Sequence, residues 1–99
     1  MNPMITIDRK TLANFCENHH VQKLSLFGSA VRADFQPGSD LDLLIKFQPG
    51  HTPGLAFFTL SEELSVFFQR TVDLNTPRSL SPYFLEQVLS ESEVLYSSK

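Results

Sequence analysis

Residues 26–47 read LFGSAVRADFQPGSDLDLLIKF: two apolar runs joined by a turn-rich segment, with Asp40 and Asp42 at the head of the second run. Carboxylates set among Leu41, Leu43, Leu44 and Ile45 are costly to bury unless something pairs with them. The first run, Val21 to Phe27, alternates Leu24 and Leu26 against Lys23 and Ser25, as a strand with one well-buried face does. It ends at Gly28. Residues 28–33 then read as a tight turn opening a short helix, and Gln36-Pro37-Gly38 as a turn before a second strand from about Asp40 to Phe47. On that strand Asp40 and Asp42 project to one side, roughly 6 to 7 Å apart at the backbone, while Leu41, Leu43 and Ile45 face a core.

Outward from this stretch the pattern is helical on both sides. Asp8 is placed to cap a helix whose Leu12, Phe15, Cys16 and His19 share an inward face, with His19 and His20 at its C-terminal end, where cationic side chains suit the helix dipole. After Gln48-Pro49-Gly50, Thr52-Pro53 predicts the start of a second helix running to about Gln69, with Phe57, Leu60, Leu64 and Phe67 as its core stripe. Arg70 to Asn75 predicts a third strand, stopped by Pro77. Ser81-Pro82 repeats the capped start for a last helix that turns Leu85, Val88 and Leu89 inward. The closing residues either pair as an edge strand or fray. The expectation is a single α/β (α+β) domain over residues 1–99, a small mixed sheet with helices covering one face.

Composition narrows the function classes. Ninety-nine residues suffice for one core and leave no room for a separate substrate domain, so a large substrate must be held partly by another molecule. Eleven acidic against eight basic residues give a net charge of -3, without the broad basic surface that nucleic-acid binding needs. The single cysteine, Cys16, cannot form an internal disulfide and reads as core filling; the N-terminus carries no signal-like apolar segment. No apolar run reaches the roughly 18 residues of a membrane span. A cytoplasmic protein with no membrane and no direct nucleic-acid partner is expected.

The carboxylates set the chemistry. Two like charges on one strand face repel unless cations lie between them, and Mg²⁺ prefers carboxylate oxygens together with waters and substrate phosphates. Phosphate donors are at hand: Gly28-Ser29 sits at a strand-to-helix junction with free backbone N–H groups, and Arg32 would face the same pocket with its planar fork. Ser39 reads as orienting the turn before Asp40. Asp73, between Val72 and Leu74 on the third strand, falls on the polar face, beside Asp40 and Asp42 if that strand neighbours the second. Taken singly, Gly28-Ser29 is a turn, Asp40 a strand-start cap and Asp73 an edge-strand residue; the ordered set points to metal-assisted attack at an α-phosphorus.

These residues carry a resemblance. Gly28-Ser29, about ten residues, then Asp40-x-Asp42 and a later strand aspartate, Asp73, are similar to the signature of the DNA polymerase beta-like nucleotidyltransferase superfamily, over Val21 to about Asn75. The short chain resembles more narrowly the minimal nucleotidyltransferases, antitoxins of HEPN/MNT toxin-antitoxin pairs. That resemblance implies a palm-like fold, ATP as substrate with two Mg²⁺ ions, and AMPylation of a hydroxyl, in some members a tyrosine, of a HEPN-type toxin bound as a hetero-oligomer. It places triphosphate binding at Gly28 and Ser29, metal binding and catalysis at Asp40 and Asp42, and the third catalytic and metal-binding carboxylate at Asp73.

One position departs from the pattern: Ala33 stands where the family usually has Gly after the arginine. A left-handed backbone there would cost Ala about 1 kcal/mol. Ala33 supports a second reading, an antitoxin that neutralises its partner by binding alone. A third, an aminoglycoside-type transferase, lacks the helical domain that would hold the drug.

Overall fold

The computed structural model describes residues 8–28, 40–51 and 54–98. Its elements are α1 (Arg9–Asn18), β1 (Val21–Phe27), β2 (Leu41–Phe47), α2 (Ala56–Phe68), β3 (Val72–Asn75), α3 (Pro82–Glu91) and β4 (Glu93–Ser97), with a 3₁₀ turn at Pro77–Ser79. The predicted helical start at 29–33 and the turn at 36–38 lie outside the described residues, as do Thr52 and Pro53; the second helix nevertheless starts later than that pair predicts, at Ala56, with Leu55 at its N-cap and no side-chain cap.

The helix starts follow the local chemistry. The Asp8 carboxylate accepts from the N–H groups of Lys10 and Thr11, satisfying donors that the first turn of α1 leaves unpaired. Ser81 accepts from the N–H of Phe84 with Pro82 at the first helical position, as its sequence predicts. α2 ends at Gln69, which takes the left-handed conformation with φ 55° and lets the chain turn back into β3.

Strand order is β3-β2-β1-β4. β1 runs antiparallel to β2 and to β4, whereas β2 and β3 are parallel and are joined through α2, so the sheet is mixed. The closing residues pair along β1 as an edge strand rather than fray. Arg9 ties α1 to that edge by donating to the carbonyl of Leu95 at 3.1 Å.

On one face of the sheet Leu24, Leu26, Leu41, Leu43, Ile45 and Leu74 pack under α1 and α2, which contribute Leu12, Cys16, Leu60, Leu64 and Phe68. Phe67, expected in the stripe of α2, is only partly buried, and Phe68 takes the core position. Cys16 is fully buried, and burial pushes its thiol up to about 12, consistent with core filling.

The other face is not bare. Phe27, Leu44 and Val88 form a second cluster flanked by Leu80 and Leu85, so α3 covers the side opposite α1 and α2. The expectation of helices on one face is corrected here. Its physical reason is the uninterrupted run Leu43-Leu44-Ile45: neighbouring strand residues point to opposite faces, so a run without alternation needs cover on both. Leu89, predicted inward, is 51% exposed.

β3 carries Asp73, and α2 holds it in place. The Ser65 hydroxyl donates to the carbonyl of Ser61 at 3.0 Å and accepts from the N–H of Val72 at 3.1 Å. Ser65→Ala should therefore cost about 1 kcal/mol in chemical denaturation and speed amide exchange at Val72, because a strand N–H loses its acceptor.

The histidines at the far end of the sheet are structural. His19 Nε2 lies 3.2 Å from a Glu63 carboxylate oxygen, and the His20 ring stacks on His51 with centroids 4.0 Å apart. Among the described residues no helix is long and apolar enough to cross a membrane.

Candidate active site

The site is built on the middle of the sheet, where β2 lies between β1 and β3. Asp42 stands opposite Phe27 on β1 and opposite Asp73 on β3. The register follows from burial: Leu41 beside Val72 and Leu43 beside Leu74 must face the core, so a parallel neighbour puts the intervening acids side by side. Asp42 is partly buried, while Asp73 and Asp40, the residue before β2, are exposed.

Electrostatics single out Asp42. Its carboxyl is pushed up from the usual 3.8 to about 6, first by burial, then by the charge of Asp73, then by that of Asp40, with a hydrogen bond to Asp73 reinforcing the protonated form. A carboxyl held up by its own neighbours is one that a cation would relieve. Asn75 steadies the third acid's strand by donating from Nδ2 to the Asp73 carbonyl at 3.2 Å.

Gly28 has φ +71°, and a Cβ built on it would run into Oδ2 and Cγ of Asp42. The glycine thus serves two needs, a left-handed turn after β1 and clearance for the Asp42 carboxylate. Sequence reasoning found the glycine for phosphate approach alone. Its contact with Asp42 is a tertiary fact, since residues 14 apart in sequence meet only through the β1–β2 register.

The structure brings Gly28, Asp42 and Asp73 together, with Asp40 close enough to act on Asp42. Ser29, Arg32 and Ser39 lie outside the described residues. Among the described residues no group of three or more His, Cys, Asp or Glu side chains is gathered into a ready-made metal cage. The acidic donor set, hard oxygens on one sheet face with the Asp42 carboxyl pushed up by burial and by its acidic neighbours, fits Mg²⁺, which takes one or two carboxylates and completes its shell with water and phosphate.

Residues 10–99 match the family described as polymerase beta, nucleotidyltransferase. The chain belongs to this family. As a nucleotidyltransferase it is similar to MJ0435 of Methanocaldococcus jannaschii, named as a candidate protein adenylyltransferase, at 32% identity over 75% of this chain and 78% of the relative. A solved minimal nucleotidyltransferase superposes with a TM-score of 0.72 at 34% identity, covering 86% of each chain. The complex of a tri-AMPylated Shewanella oneidensis HEPN toxin with its MNT antitoxin contains a chain matching with a TM-score of 0.65 and 21% identity, over 91% of this chain and 70% of that one. This last likeness is one of fold. The expected small mixed sheet of the nucleotidyltransferase type is therefore observed.

Proposed function

We propose that this nucleotidyltransferase moves AMP from ATP to a hydroxyl, a tyrosine's, on a HEPN-type toxin bound to it in the cytoplasm, and so acts as the toxin's antitoxin. The observation that carries the reading is the juxtaposition of Asp42 with Asp73 in register and of Gly28 against Asp42. Support for a protein acceptor comes from the name of the Methanocaldococcus relative, and for a toxin as acceptor from the AMPylated toxin in the Shewanella complex.

In this reading Asp73, exposed at the sheet's edge strand, takes the proton from the acceptor hydroxyl. The hydroxyl oxygen forms its bond to the α-phosphorus as the bond from that phosphorus to the bridging oxygen breaks, and pyrophosphate leaves. Gly28 and Ser29 receive phosphate oxygens, Ser39 holds the turn before Asp40, and Arg32 neutralises phosphate charge. Two Mg²⁺ ions held by Asp40, Asp42 and Asp73 would supply the positive charge that stabilises the phosphates and the leaving group.

The test is direct. With ATP labelled at the α-phosphate, Mg²⁺ and the co-purified partner, the partner should become labelled, and Asp40→Ala and Asp73→Ala should each reduce labelling by about a hundredfold or more. The binding-only reading, which Ala33 favours, predicts that both variants still neutralise the partner in cells. Loss of protection with retained binding excludes it.

A further inference from the structure

A second site lies on the same sheet face as Asp42, further along β2. Lys23 of β1 and Lys46 of β2 are directly paired across the strands, an arrangement that like charges disfavour. Among the described residues neither forms an ion pair with a carboxylate. Between them and α3 is a cavity of about 270 Å³, with Ser25 and Leu44 as its buried floor and Leu85 and Leu89 as its wall. Ser25 is 1% exposed, so the cavity is closed below, and Pro77 completes its lining.

We infer that this cavity is a docking pocket for an acidic-apolar segment of the acceptor protein, an aliphatic side chain seated against Leu44, Leu85 and Leu89 and a neighbouring carboxylate held between Lys23 and Lys46. Its volume lies below the range of about 300–1,000 Å³ usual for small-molecule sites and suits one or two anchoring side chains. Charge complementarity names the partner's chemistry: on a chain of net charge -3, two lysines paired across the strands, with no carboxylate partner among the described residues, attract an acidic segment. The position adds a reason. Lys46 is four residues beyond Asp42 on the same face, about 13 Å along the strand, so a protein anchored here lies alongside the carboxylates. The inference rests on the reading that the acceptor is a protein.

NMR titration of the full chain with the blocked dipeptide acetyl-leucyl-aspartate amide, beside its asparagine counterpart, isolates the charge. The aspartate form should give saturable shifts at Lys23, Ser25, Lys46 and Leu89, with affinity about fivefold weaker for the asparagine form and for Lys46→Gln. Equal shifts from both dipeptides, no saturation, or the same shifts from inorganic phosphate alone would overturn the pocket. In transfer assays with the partner, a Lys23→Gln/Lys46→Gln protein should show a raised KM for the acceptor and an unchanged KM for ATP; an unchanged acceptor KM overturns the docking role. The titration does not depend on turnover. Failure of the wild type to transfer AMP would therefore remove the proposed reaction while leaving dipeptide binding to be read by itself.

Discussion

Asp42→Asn is expected to lower AMP transfer by about a thousandfold or more while making the metal-free protein more stable. The two effects share one cause. Asp42 is partly buried beside two other carboxylates, so its charge costs free energy until a cation offsets it. The folded protein holds the Asp42 proton up to about pH 6, whereas the unfolded chain releases it near 3.8. Between these values the folded state binds the extra proton, so stability falls as pH rises. The contribution of protonated Asp42 is complete below pH 3.8 and lost above about pH 6. In EDTA, the melting temperature of the wild type should drop relative to that of Asp42→Asn across this window. The gap at pH 7 should be on the order of 1 kcal/mol, allowing for solvent screening of a partly exposed group. Millimolar Mg²⁺ with ATP should narrow it by stabilising the wild type alone. A wild type that stays as stable as the variant from pH 4 to 7 would show that the three carboxylates do not repel as their placement requires.

The second large effect is expected from Gly28→Ala, a change of one methyl group. The new Cβ meets the Asp42 carboxylate, and the backbone at φ +71° is one that alanine adopts only with strain of about 1–2 kcal/mol. Stability in denaturant should fall by about that amount. Transfer should fall further, by about a hundredfold, because the side chain displaced is the one on which the site is centred. Gly50 supplies the control: its φ is also positive, at +81°, but a Cβ there meets nothing within 4 Å. Gly50→Ala should lose comparable stability and keep its activity. Equal activity in the two variants would mean that the closeness of Gly28 to Asp42 has no functional weight.

How far the sequence could be read differs from element to element. The caps at Asp8 and Ser81, the strand from Val21 to Phe27 and the Asp-x-Asp pair are local matters, governed by side chains within a few residues of the groups they satisfy, and each is found where its local signal puts it. The stripe of α2 was harder: Phe67 and Phe68 are adjacent and equally apolar, and which of them enters the core depends on where the helix lies over the sheet. Leu44 was legible in principle, because three apolar residues in a row leave no solvent face, yet alternation taken from Leu41, Leu43 and Ile45 alone hid the need for cover by α3. Ser29, Arg32 and Ser39 are placed by the motif alone.

By itself the sequence determined which residue types stand on which side of each strand, since a period of two allows no other arrangement once Leu41, Leu43 and Ile45 go inward. It thereby determined that Asp40 and Asp42 share a face and that Asp73 has a polar one. Only the tertiary structure decided that β3 lies next to β2, in parallel and in the register that sets Asp73 against Asp42, and that Gly28 comes up under the same carboxylate. The physical reason is that strand pairing joins residues distant along the chain, and its register is chosen by the fit of all the buried side chains at once rather than by any pair of residues.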